Sequence, residues 1–160
     1  MKLTEHFSLE EFEYSSTALA KGIDNHIPLN GQPSNGGANE CGSEILENIR
    51  SLCETILEPL RQHAGIPIQL NSGYRCPALN RAVGGSSQSQ HLKGEAADIR
   101  VPDPTTGHQW FNWMERHLPF DQLIQERATR TSPTFWIHVS CCRDRPNRRQ
   151  VIRQLIKNPP

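Results

Sequence analysis

Two histidines and an aspartate carry the features that could do chemistry. His91 and Asp98 lie in QHLKGEAADI, residues 90–99, and His138 lies in FWIHVS, residues 135–140. Two imidazole nitrogens and one carboxylate oxygen make a donor set for zinc, which in catalytic sites keeps a fourth position for water. Gly94 lets the chain turn between a loop holding His91 and a strand holding Asp98, and Ala96 and Ala97 keep bulk away from the carboxylate. Asp98 stands among strand-forming apolar residues, where a buried carboxylate is costly unless paired or metal-bound. Spacing alone leaves other readings open. His138 also fits a hydrogen-bonded core histidine, and Asp98 also fits a cap or an ion-pair partner. His6, His26, His63, His108 and His117 carry no motif spacing.

Cysteine adds little to this set. The five cysteines (Cys41, Cys53, Cys76, Cys141, Cys142) form no C-x-x-C pair and are odd in number, so free thiols are expected rather than a disulfide framework. Successive strand residues point to opposite faces, so only Cys142, four positions after His138, could share its face as a further ligand. The scattered spacing also speaks against a thiol-based redox or metal-storage protein.

The elements that must position these residues fit one domain. The chain has 160 residues, 17 basic and 17 acidic, for a formal net charge of zero. That balance argues against a nucleic-acid or anionic-membrane partner. No apolar run approaches the ~18 residues of a spanning helix. The start, MKLTEHFSLEEFEYS, is acidic and lacks the apolar core of a secretory signal, so cytoplasmic synthesis without membrane insertion is expected. A monomer is expected.

SLEEF reads as a capping box, Ser8 with Glu11, opening a short helix. Residues 22–43, rich in Gly, Asn, Pro and Ser, read as a long and mobile loop. Ile45, Ile49, Leu52, Ile56, Leu57 and Leu60 recur at helical spacing, with Ser43 as N-cap and Gly65 as the stop. IPIQLNSGYR reads as a strand and turn, CPALNRAVGGS as a short helix, EAADIRV as a buried strand and TTGHQWFNWMERHLP as a helix. FDQLIQER and TFWIHVS read as a strand hairpin, and the Arg-rich NRRQVIRQLIKN as a closing solvated helix. Helices first, then strands with one helix inserted, predict an α+β domain with a mainly antiparallel sheet and flanking helices. Trp110 and Trp113 are expected in the core.

Four segments together carry a resemblance: SGYR (72–75), NRAVGG (80–85), SQHLKGEAADI (89–99) and WIHVS (136–140). They resemble the zinc D-alanyl-D-alanine carboxypeptidase family, which includes vancomycin-resistance dipeptidases and phage L-alanyl-D-glutamate endolysins. Its signature is an arginine, then S-x-H-x-x-G-x-A-x-D, then a late histidine. Ser89, His91, Gly94, Ala96 and Asp98 complete the middle element. LTEHFSLEEFEYSSTA is similar to the small phage and prophage branch, and the likeness covers nearly the whole chain except residues 30–42, which look inserted. The resemblance implies the small α+β fold shared with the hedgehog signalling domain, one zinc ion per chain held by His91, Asp98 and His138, and hydrolysis of peptidoglycan stem or cross-link peptides. It implies that Arg75 steadies an oxyanion or substrate carboxylate, and that Ser89 contacts substrate. A phage-type enzyme of this kind would reach the cell wall on lysis, through a holin.

The general base departs from the family pattern. Several relatives place a glutamate three residues before the last histidine, where this chain has Phe135, and another branch uses a histidine where this chain has Pro133. Glu126 is the replacement candidate: an even register between 122–127 and 135–140 sets it beside Trp136 on the face of His138. Asp121 is the second candidate. The missing E-x-x-H also sustains an alternative, a non-catalytic zinc module that binds wall peptides. Whether a carboxypeptidase or an endopeptidase is meant depends on pocket shape, which the sequence does not give.

Overall fold

The apolar stripe at residues 45–60 does form the core. The computed structural model describes residues 1–29 and 42–156, and in it all six stripe side chains are at most 1% exposed. They lie on one continuous helical rod made of α3 (Gly42–Leu52), a π-turn (Cys53–Leu57) and α4 (Glu58–Ala64). Pro59 explains the wide turn. Its ring has no N–H and would clash with the carbonyl four residues back, so the helix loosens ahead of it, and the Glu58 amide reaches back to the Cys53 carbonyl. Gly65 ends the rod at φ 68°, as expected. Ser43 is not the N-cap, because the helix already begins at Gly42, where a Cβ would sit 2.0 Å from the Pro28 carbonyl oxygen. Most of the expected 22–43 loop, at residues 30–41, lies outside the described residues.

Around the rod come α1 (Leu9–Glu13), opened by the Ser8–Glu11 capping box, and α2 (Ser16–Lys21). β1 (Gln69–Ser72) and α5 (Pro77–Ala82) follow, then a 3-10 turn (Gln90–Lys93) and β2 (Ala96–Arg100). The remainder is α6 (Pro104–His117), β3 (Gln122–Arg127), β4 (Trp136–Ser140) and β5 (Gln150–Ile156). The strands form one sheet in the order β1-β2-β4-β3-β5, antiparallel except for β3 with β5. The fold is thus α+β with a mostly antiparallel sheet and flanking helices. No described helix is long and apolar enough to cross a membrane.

The expected closing helix is a strand. Val151 and Ile152 pair in parallel with Leu123 and Ile124, and an extra residue near Gln154, at φ 61°, bulges β5 before Leu155 meets Glu126. Helical propensity in this Arg-rich segment loses to sheet pairing and to anchoring of its arginines. The Arg149 guanidinium lies 4.9 Å over the Phe120 ring and Arg153 lies 4.9 Å over Phe111, so these side chains serve as clamps against α6 and the core.

The sheet separates the core from the chemistry. Ala97, Ile99, Leu123, Ile137 and Val139 are fully buried on the side of the core. Trp110 and Met114 of α6 join that core, while Trp113 is half-buried and stacked 4.2 Å from the His63 ring. The opposite face carries the alternate residues, since side chains along a strand switch sides at every step.

Candidate metal centre and its cleft

Two strands and one turn bring the ligand candidates together. Asp98 of β2 pairs directly with His138 of β4, and Ile124 of β3 pairs with His138 from the other side. His91 arrives on the 3-10 turn, which Gly94 closes at φ 70°, a left-handed conformation that suits glycine. A Cβ at Gly94 would also sit 2.7 Å from the Ile45 carbonyl oxygen, so glycine lets this turn press against α3.

The donor atoms form a small triangle. His138 Nδ1 lies 2.9 Å from Asp98 Oδ1, His91 Nε2 lies 3.3 Å from the same oxygen, and the two nitrogens are 3.3 Å apart. Donors bound tetrahedrally at ~2.0–2.1 Å from zinc would be about 3.3–3.4 Å from one another. The three groups therefore fit such an ion with almost no rearrangement, and all three are buried. Among the described residues they are the group of histidine, cysteine and acidic side chains arranged to hold a metal.

The surroundings prepare each ligand. His91 Nδ1–H donates to the Gly73 carbonyl at 2.6 Å, which leaves the Nε2 lone pair for the centre. Burial pushes the His91 pKa down to about 4 against the opposing pull of Asp98, so the ring is neutral near pH 7. Burial works to raise the Asp98 pKa, but the two imidazoles outweigh it and hold the carboxyl well below the usual range. The second Asp98 oxygen accepts from Arg75 Nη2 at 2.7 Å. Arg75 is 5% exposed and also donates from Nε to Ser72 Oγ at 2.9 Å and from its backbone to the His91 carbonyl at 3.1 Å. The carboxylate that Arg75 holds thus belongs to the ligand set.

Residues outside the motif brace this segment. Phe12 of α1 presses on Gly73 so closely that a Cβ there would lie 2.6 Å from the Phe12 Cα. Asn25, 4% exposed, donates to the Tyr74 carbonyl at 3.0 Å and accepts from the Cys76 amide at 2.7 Å, clamping the chain on both sides of Arg75. Nothing in the spacing of Asn25, within a polar loop, pointed to this. The closest available signal was its side chain, one that bonds backbone where regular structure is absent.

The cluster opens on a cleft of about 580 Å3 whose lining includes Arg75, Ser89, His91, Glu126, His138, Arg145 and Arg148. Glu126 pairs with Trp136, two residues along from the Ile124–His138 pair, and so shares the face of His138 as the even register predicts. It is 5% exposed. Ser89 stands at the head of the 3-10 turn without a side-chain cap bond. Phe135, three residues before His138, is buried in the core against Gly107.

Asp121 is placed differently. Its two oxygens accept from Arg148 Nε at 3.0 and 3.2 Å and from Nη2 at 2.6 Å, and these bonds take its pKa down to about 2. It is held by Arg148 and is not among the residues that line the cleft. Cys142 also stays outside the cluster. Its thiol contacts Gln90 Nε2 at 3.3 Å and Glu95 Oε2 at 3.9 Å, and burial beside Glu95 pushes its pKa up to about 12. Cys53, Cys76, Cys141 and Cys142 are all free and buried.

An open cleft floored by two neutral-type donors and a carboxylate, with a further acid on the same sheet face, has the layout of a single-metal hydrolase. The chain belongs to the peptidase M15 family, whose model matches residues 5–140. M15 peptidases are zinc-dependent, and the buried His-Asp-His cluster is where this chain could bind that metal. No curated protein matches the chain.

Proposed function

We propose that this peptidase hydrolyses peptide bonds in bacterial peptidoglycan stem or cross-link peptides, with one zinc ion held by His91 Nε2, Asp98 Oδ1 and His138 Nδ1. The observation that carries the reading is the donor triangle, with edges of 2.9, 3.3 and 3.3 Å, at the floor of a cleft that Glu126 also lines. Bound there, zinc supplies Lewis acidity, polarising a scissile carbonyl and acidifying water.

The protein's own groups do the rest. Glu126 takes the proton of the attacking water and delivers it to the leaving amine. Arg75 fixes Asp98 by its second oxygen, and its remaining donors steady negative charge that grows on the substrate oxygen. The Ser89 hydroxyl binds a substrate carbonyl or carboxylate.

Purified protein incubated with peptidoglycan tests this. New amino groups should appear, one zinc should be bound per chain, and a chelator should stop the release. Mass spectrometry of the resulting muropeptides identifies the bond and so separates carboxypeptidase from endopeptidase. Glu126→Gln should keep its zinc while turnover falls by about 10²–10⁴-fold. Zinc binding with no release from any wall preparation would leave a binding module instead, and near-normal turnover of Glu126→Gln would remove that residue from the mechanism.

A further inference from the structure

The cleft has a direction along the sheet. Glu126 faces Trp136, His138 faces Asp98, and Ser140 faces Ala96, so the ligand cluster lies between Glu126 at one end and Ser140 at the other. Ser140 lies two positions along the strand from His138, a step of about 7 Å. Beyond Ser140 the chain turns, and residues 141–149 bring Arg145 and Arg148 to the cleft wall.

Each arginine is held by a carboxylate built into that end of the sheet. Arg145 Nη1 and Nη2 donate to the two Glu95 oxygens at 2.9 and 2.7 Å. Arg148 Nε and Nη2 chelate Asp121, and the Arg148 amide also donates to Asp121 Oδ1 at 2.9 Å. The anchors flank the end of β4: the Asp121 amide donates to the Ser140 carbonyl at 2.7 Å, and the Cys141 amide donates to the Glu95 carbonyl at 2.9 Å. Glu95 is 4% and Asp121 1% exposed, whereas the Arg145 and Arg148 side chains keep 48% and 58% exposure. The negative partners are buried and the half-exposed guanidinium groups line the cleft.

Two consequences follow for a ligand. Each guanidinium spends two of its five N–H donors on its anchor and is held in a fixed plane, so three donors per side chain stay available with little ordering left to do. Among the described residues of the lining, Arg75, Arg145 and Arg148 face one carboxylate, Glu126. A planar fork of donors is suited to a carboxylate, which can accept two parallel bonds.

We propose that Arg145 and Arg148 form a receptor for a free carboxylate of the substrate peptide, roughly two residues from the bond that is cut. The inference rests on the peptidase reading for how the peptide lies across the cluster. In a stem peptide, the α-carboxylate of D-glutamate and the chain end are groups of this class.

The test compares acid and amide forms of one synthetic stem pentapeptide, with the D-glutamate α-carboxyl and the chain end amidated separately and together. Affinity is read by calorimetry on zinc-loaded Glu126→Gln, and kcat and KM on the wild-type chain. The free acid should bind at least tenfold more tightly than the amide at the recognised position and show a KM lower by a similar factor. Arg145→Gln with Arg148→Gln should bring that ratio close to one, and the Lys forms, which keep charge but lose the fork, should fall between. Equal affinity of acid and amide forms would overturn the receptor, a comparison that needs no arginine variant and so holds even if the Gln forms fail to fold. If no peptide is cleaved, the peptidase reading fails, while the calorimetric ratio still decides the receptor.

Discussion

Replacing Arg75 with methionine separates the two jobs that its position implies. The side chain is 7% exposed and its Nη2 lies 2.7 Å from Asp98 Oδ2. Without it, the metal-free protein keeps a buried carboxylate next to two imidazoles and no permanent positive charge. Removing one partner of a buried pair costs about 3–5 kcal/mol. For a chain of this size 1 kcal/mol moves the melting temperature by roughly 2–4 °C, so a fall of about 6–20 °C is expected without metal. Zinc restores positive charge at Asp98 and should recover part of that loss. The missing bond to a ligand oxygen should still weaken zinc binding by about 10–100-fold, or about 1.4–2.8 kcal/mol. The assay is a pair of thermal melts, with chelator and with excess zinc, together with zinc affinity from competition with a chromophoric chelator. The variant should lose more stability without metal than with it. Equal losses in both conditions, with unchanged zinc affinity, would show that Arg75 neither orients Asp98 nor balances its charge.

Asn25→Ala should cost about 2–4 kcal/mol in thermal or urea unfolding, because it leaves the buried Cys76 amide and Tyr74 carbonyl without their partner. It should also weaken zinc binding, though Asn25 touches no ligand; a destabilised variant with wild-type zinc affinity would confine it to the scaffold. The Asp121–Arg148 pair predicts an acid limb in stability. The Asp121 pKa is lowered from 3.8 to about 2, so its contribution is complete above about pH 4 and is lost as pH falls toward 2. That contribution is at most about 2 kcal/mol, and in Asp121→Asn the limb measured by urea titration between pH 5 and 2 should flatten.

The sequence was informative where the physics is local and silent where it depends on distant partners. Helical spacing at residues 45–60 marks a buried face because that pattern is a property of the helix itself, and the side chains are indeed at most 1% exposed. Period-two alternation in 122–127 and 136–140 located Glu126 beside Trp136, since one register satisfies both strands. The helical reading from Asn147 onward fails because Arg148, Arg149 and Arg153 meet Asp121, Phe120, Phe111 and Glu115, all remote along the chain. Arg75 shows the same limit: SGYR places it at a turn, but only the folded sheet reveals that Asp98 is its neighbour. The roles of Glu95 and Arg145 at the cleft end had no legible spacing, since 50 residues separate the pair.

The alternation across β3 and β4 also governs which changes in chain length the molecule can absorb. The connection at 128–135 is mostly exposed and lies beyond the last paired residues, so insertions there leave every cross-strand partner in place. A deletion of one residue between Leu123 and Glu126 does not have that freedom. It would turn Gln125 outward and send the Glu126 carboxylate into the hydrocarbon interior, exchanging the two surfaces of the strand at a stroke. Natural length variation in descendants of this chain should therefore gather in the connection and spare the strand.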